Sequence, residues 1–315
     1  MEIGIEKKNK LRLVVLAVLV LATGGLLFYM QKPEAAQIDP TLFKVEGIDK
    51  IDRVILESKA GRVELHYNGS RWTVNNKMDA DKQLIDVLFA TAEQAIPKRE
   101  VGTTTKEQVN KQLAGAGITV SWMEGDVVKK KFLAGGNEPK TEAYFQLPDG
   151  SSYVMTIPGY RVYVSGIFEI GEEMWRDKRV FNFNWRNFRG LEVKFPSQPQ
   201  ENYQIMIKEA QFHIDGIAKV DTTKVNEYLD GAFQLNAKSF LSAQKRVGYD
   251  SILNTTPSFA VEVKDIANRS YLLEIYPPQR GQEDILGRIG GSEVAVFERN
   301  SIIPLARKKN YFQQK

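Results

Sequence analysis

The sequence predicts an α+β protein: an N-terminal transmembrane helix followed by two tandem repeats, each an antiparallel sheet with one main covering helix. Three observations predict it. An uncharged apolar run stands near the start of the 315-residue chain. Short strand-like runs fill the rest, with segments of helical spacing after each set. The sets recur at a near-constant offset, the mark of an internal repeat.

The apolar run is Leu13 to Met30, which carries no charged residue. As a helix it would span about 27 Å at ~1.5 Å per residue, close to the roughly 30 Å of a bilayer's hydrocarbon core. It lacks the polar face of a soluble core helix of that length. Lys7, Lys8, Lys10 and Arg12 precede it and only Lys32 closely follows. The basic flank stays in the cytoplasm, so the remainder is expected to be translocated. A cleaved signal peptide is the rival reading. The run is long for one, and Ala35-Ala36 behind Pro33 and Glu34 makes a poor cleavage context. The expected organisation is a cytoplasmic tail at 1–12, an anchor at 13–30 and a linker at 31–45. A first repeat at 46–180 and a second at 181–315 follow.

In the first repeat, Ile51 to Leu56, Arg62 to Tyr67 and Arg71 to Val74 read as strands, with turns at Ala60-Gly61 and Asn68-Gly69. Asp79-Ala80-Asp81 then precedes Leu84, Ile85, Val87, Leu88 and Phe89 at helical spacing. An aspartate there is an expected N-cap, because its carboxylate accepts unpaired backbone N–H groups. The second repeat offers Leu191 to Phe195, Tyr203 to Ile207 and Gln211 to Ile214. Asp221 then stands ahead of Val225, Tyr228, Leu229 and Phe233. Trp72 and Phe212, like Asp81 and Asp221, stand 140 positions apart. Downstream the offset is 141: Thr119 to Trp122 falls opposite Ala260 to Val263, and the turn Asp149-Gly150-Ser151 opposite Gly290-Gly291-Ser292. Ser165 to Trp175 is expected to form a short helix at the junction. The alternating Phe181, Phe183 and Trp185 suggest one buried strand face, and the basic C-terminal tail from Ala306 is expected to fray.

Composition narrows the possible functions. With 43% apolar and 26% charged residues, the body is expected to fold rather than stay disordered. A formal net charge of +4, spread along the chain, leaves no footprint for nucleic acid. The absence of cysteine excludes disulfides, thiolate metal sites and cysteine nucleophiles.

The sequence carries no recognisable catalytic pattern, so no catalytic residue, cofactor or metal is expected. His66 and His213 lie in no metal-binding spacing and read as half-exposed strand residues. No G-x-S-x-G elbow is present. Ala134 to Asn137 and Gly287 to Gly291 lack the residues of phosphate or dinucleotide loops and read as turns. Glu172-Glu173 and Glu283-Asp284 read as solvated pairs.

The most unusual composition is Trp175-Arg176-Asp177-Lys178-Arg179. Trp and Arg dominate interface hot spots, so Trp175, Arg176 and Arg179 are candidate partner-binding residues. The competing reading packs Trp175 between the halves and pairs both arginines with Asp177 or nearby acids.

At Arg71-Trp72-Thr73-Val74, and from Met174 through Trp175-Arg176-Asp177-Lys178-Arg179 to Phe181, the chain resembles the bacterial membrane-anchored family called domain of unknown function 4340. The resemblance covers most of the body. It implies a bacterial envelope protein, and some members look like accessory parts encoded beside gliding-motility-type ABC transport components. It supplies no catalytic residues. The expectation is a non-enzymatic accessory or scaffold protein of an envelope complex. It would sit in the inner membrane as a single-pass protein with a periplasmic body and a protein partner. The alternative is a glycan- or peptide-binding module with a cleft between the halves. An enzyme built on the two histidines or on carboxylates ranks third.

Overall fold

The computed structural model describes residues 15–25, 38–181, 183, 185–209, 211–279 and 281–314. Helix α1 covers 15–25 and exposes its side chains throughout. The predicted span 13–30 and the linker extend outside the described residues. Among the described residues, no helix is long and apolar enough to cross a membrane.

The remainder is α+β, built on two antiparallel sheets. The first sheet contains β1 (Arg53–Ser58), β2 (Gly61–Tyr67), β3 (Trp72–Val74), β4 (Met78–Asp79) and β5 (Ile96–Glu100). It is completed by β6 (Ile118–Glu124), β7 (Val127–Gly136), β8 (Ala143–Gln146) and β9 (Ser152–Thr156). Their order across the sheet is β4-β3-β2-β1-β6-β7-β8-β9-β5. The second contains β10 (Phe188–Lys194), β11 (Tyr203–Lys208), β12 (Gln211–Ile214) and β13 (Ser239–Phe240). With them are β14 (Phe259–Asp265), β15 (Ser270–Ile275), β16 (Asp284–Ile289) and β17 (Glu293–Glu298). Their order is β12-β11-β10-β14-β15-β16-β17-β13. With β4 set aside, the two orders match strand for strand.

The same positions turn inward in both sheets. Val63 and Leu65 of β2 are buried, and so are Tyr203 and Ile205, 140 positions on. Val120 and Trp122 of β6 are buried, and so are Val261 and Val263, 141 on. Strand side chains alternate in direction, so this agreement means that each pair of strands presents the same register to its core.

Helix α2 (Lys82–Gln94) follows β4, and helix α5 (Thr222–Phe233) follows β12. Asp81 Oδ1 accepts from the backbone N–H of Gln83 and Leu84, at 2.8 and 3.1 Å. Asp221 Oδ1 accepts from that of Lys224 at 3.2 Å. Each carboxylate therefore satisfies donors that the first helical turn leaves unpaired. Ile85 and Leu88 face inward on α2, as Val225 and Tyr228 do on α5. Phe89 meets Trp122 edge-on, with ring centroids 5.4 Å apart.

Each sheet also carries a smaller apolar cluster. Helix α3 (Thr103–Ala116) places Val109 and Leu113 against Val101, Tyr144 and Val154. In the second sheet, α6 (Ala243–Arg246) and α7 (Asp250–Leu253) occupy the corresponding stretch of chain. Leu253 there packs with Tyr276, Leu286 and Val294.

The described chain groups into two compact units. One comprises the residues up to Glu64 together with Asp86–Glu169; the other comprises Leu65–Ile85 and the residues from Ile170 onward.

Several expectations are corrected. The Ser165 to Trp175 stretch is a 3-10 turn at Val164–Ile167 and the four-residue helix α4 (Glu172–Trp175), not one helix. Phe181 and Phe183 are buried without belonging to a strand, and Trp185 is partly exposed. Gly135 and Gly136 end β7 rather than forming a turn, paired with Tyr144 and Ala143 of β8, and Leu113 and Tyr163 occupy the space a side chain there would need. The C-terminal tail is docked. After α8 (Arg299–Ile302), Phe312 is fully buried against Tyr203 and Tyr228, with centroids 5.3 Å from each. The Tyr203 and Tyr228 hydroxyls donate to the carbonyls of Arg307 and Leu305 at 2.9 and 3.0 Å.

Candidate functional site

The segment that stood out in the sequence, Trp175 to Arg179, is an extended strap tied by its backbone within the second unit. Asp81 N–H donates to the Trp175 carbonyl at 2.7 Å, and Asp177 N–H to the Asp79 carbonyl at 2.8 Å. Ala237 N–H donates to the Lys178 carbonyl at 2.8 Å, and Val180 N–H to the Leu235 carbonyl at 3.1 Å. Bridges pair Ala80 with Arg176 and Arg179 with Asn236. The strap therefore joins the turn before α2 to the turn after α5.

Its side chains are committed to this bracing. Trp175 is fully buried, so in the folded protein it offers no face to a partner. The Arg176 guanidinium lies 3.3 Å from the centre of the Phe240 ring and bonds Glu293 at 2.6 Å. That is a cation–π stack closed by an ion pair. Arg179 forks onto Asp177, with Nε to Oδ2 at 2.9 Å and Nη2 to Oδ2 at 2.5 Å. The hydrogen bond to Asp177 raises the Arg179 pKa against the opposing effect of burial. The structure brings Arg176 and Arg179 onto one strap and gives each an internal partner. What the arrangement does chemically is lock a chain crossing.

The histidines are not brought into a common cluster. His66 Nδ1 lies 2.8 Å from Asn76 Oδ1, and His213 Nε2 lies 3.3 Å from Asp215. Among the described residues, no group of three or more His, Cys, Asp or Glu side chains is placed to hold a metal.

A concave surface does exist in the second unit. A cleft of about 890 Å³ is lined by Lys238, Gln279, Asp284, Glu298, Arg299 and Asn300, among others. Lys238 Nζ bonds both carboxylate oxygens of Asp284 at 2.9 Å. That hydrogen bond and the Asp284 charge raise the Lys238 pKa. Glu298 sits directly across from Asp284 in the β16–β17 register. The cleft is open, polar and paired by charge. Sequence reading reached only Glu283-Asp284 of this set, because the other residues come from separate segments that the sheet gathers.

The chain matches no curated protein and no solved structure. One family profile matches, described as domain of unknown function (DUF4340), over residues 71–251. That stretch runs from β3 through α2, the rest of the first sheet, the Trp175 strap and the first four strands of the second sheet into α7. Because it covers more than half of the chain, the protein belongs to the family of the domain of unknown function DUF4340.

Proposed function

We propose that this protein is a membrane-anchored, extracytoplasmic accessory or scaffold protein of a bacterial envelope complex, acting by holding a partner near the membrane rather than by catalysis. The observation that carries this reading is the chemistry of α1. Val15, Leu16, Val18, Leu19, Val20 and Leu21 are all exposed. Thr23 is the only polar side chain between 15 and 25, and its hydroxyl donates to the Leu19 carbonyl at 2.7 Å. A helix apolar on every side, with its one hydroxyl satisfied internally, suits a hydrocarbon environment. The uncharged run to Met30 and the basic residues before it give the direction of insertion.

The docked body is read as two copies of one ancestral unit. The matching strand orders, the paired N-caps and the offsets of 140 and 141 support that reading. An accessory role in a transport or gliding assembly is one form such a scaffold would take.

The test is a reporter fused at the C-terminus, together with extraction of membranes at high pH. Activity of a reporter that works only after export, with the chain retained in extracted membranes, is the expected result. A reporter active only in the cytosol overturns the proposal. Affinity purification from detergent-solubilised membranes should also recover a stoichiometric partner.

A further inference from the structure

We propose that the tip of the β6–β7 hairpin, carrying Val127, Val128 and Lys129 to Lys131, rests on the anionic lipid surface of the membrane that holds the chain's N-terminus. This rests on the anchor reading above and adds to it a second membrane contact, made by the body.

The first argument is reach. The apolar run ends at Met30, and the chain is packed into the body at Phe43. Asp39 Oδ1 accepts from the Thr41 N–H and hydroxyl at 2.8 and 2.6 Å. Phe43 is buried edge-on among Phe132, Phe145 and Tyr153, with centroids at 5.6, 5.3 and 5.7 Å. The residues from Met30 to Phe43 reach at most about 45 Å when fully extended, at ~3.3–3.6 Å each. The part of the body nearest Phe43 is therefore leashed within that distance of the bilayer.

The second argument is position. Phe132 belongs to β7, so the chain joins the body on the strand that begins at the hairpin tip. Lys130 stands two residues from Phe132 and so on the same side of the strand. Its ammonium also helps lower the Asp39 pKa, after the larger effect of the Thr41 hydrogen bonds.

The third is composition. Val127 and Val128 are 62% and 50% exposed at the tip, and Lys129 and Lys131 are exposed beside them. Glu124 lies 3.1 Å from Lys129, which leaves Lys130 and Lys131 as the lysines offered to headgroups, and the fully exposed Asp126 lies 3.8 Å from Arg53. An exposed apolar pair followed by three lysines suits the boundary between acyl chains and anionic headgroups. Hairpin closure does not require these residues. The equivalent hairpin of the second sheet, 141 positions on, closes with Asn268-Arg269-Ser270-Tyr271-Leu272 in their place.

The chain contains no cysteine, so Val127→Cys gives a unique site for an environment-sensitive fluorophore. The full-length protein would be reconstituted into vesicles of phosphatidylcholine alone or with about one third phosphatidylglycerol. Flotation would score the anchor separately. The expected result is co-flotation, with a blue-shifted, at least twofold brighter label in the anionic vesicles. Lys130→Glu with Lys131→Glu should abolish that change. A label at Ile266→Cys, on the corresponding hairpin, should stay aqueous. A chain that floats while its Val127 label emits as in detergent overturns the hairpin contact and leaves the anchor standing. A chain that does not float overturns both.

Discussion

The amide of Asp81 donates to the carbonyl of Trp175 at 2.7 Å, and the amide of Asp221 donates in the same way to the carbonyl of Phe312 at 2.8 Å. Each helix-capping aspartate is thus gripped twice. Its carboxylate holds the helix start, and its backbone holds a strap whose aromatic side chain is fully buried. The bridges follow the same plan, Ala80 with Arg176 and Val220 with Gln313. Replacing Asp81 by alanine should cost about 1 kcal/mol through loss of the cap, and Asp81→Asn should cost much less. Urea denaturation of the two variants would measure the difference.

Trp175 should act as a packing residue. Among the described residues its buried indole nitrogen has no hydrogen-bond partner, so its contribution is one of volume. Trp175→Ala is expected to destabilise by about 3–5 kcal/mol, whereas Trp175→Phe should recover most of the loss. Thermal melts of both variants, beside partner capture, would separate packing from recognition. Normal stability with lost capture in the alanine variant would refute the packing role.

A pH effect should trace to Asp265. Its side chain is fully buried, and burial alone would raise its pKa. The Arg269 N–H, the Arg269 guanidinium and the Ala267 N–H, at 2.9, 2.6 and 2.9 Å, overcome that and lower it. A depressed carboxyl contributes stability above its unfolded pKa of about 3.9, and loses it as pH falls through the folded value. Asp221, lowered chiefly by the Lys224 N–H, adds in the same direction. Melting temperature should therefore fall below about pH 4. Asp265→Asn should melt several degrees lower at pH 7, because its amide oxygen can still accept from the two backbone N–H groups but its N–H₂ cannot accept from the Arg269 guanidinium, and its melting curve should vary less with acid.

Two glycines should respond with opposite signs. A Cβ on Gly136 would lie 2.3 Å from the Tyr163 ring and 2.5 Å from the Glu142 carbonyl oxygen. Gly136→Ala is expected to cost about 1–3 kcal/mol by overpacking. A Cβ on Gly115, inside α3, would meet nothing within 4 Å. Gly115→Ala should stabilise by roughly 0.5–1 kcal/mol. Chemical denaturation of the pair is a direct check.

The strands and the two capped helices were legible because their residues obey short-range rules. Arg62 to Tyr67 alternates as a half-buried strand must, and Asp81 and Asp221 announce their helices with a side chain that can cap. Helix α3 was not legible. Only Val109 and Leu113 of its fourteen residues are buried, so its apolar signal is too thin to show a period. Strand β5 was hidden by Pro97, which an edge strand tolerates and which sits beside an irregularity in its pairing with β9. The strap drew attention through its Trp and Arg content, which marks interfaces and braces alike. Composition could not tell which, since the Phe240 ring and Glu293 that receive Arg176 lie far along the chain.

Residues 65–85 complete the second unit, while the chain on either side of them builds the first. The polypeptide thus visits one unit, crosses to the other, returns, and crosses again after Glu169. No single cleavage or gene truncation can release either as a finished piece. A fragment beginning at Ile170 would keep Trp175 but lose Asp79, Ala80 and Asp81, the neighbours that fasten it. The two units therefore have to be made together, unlike beads that can be restrung.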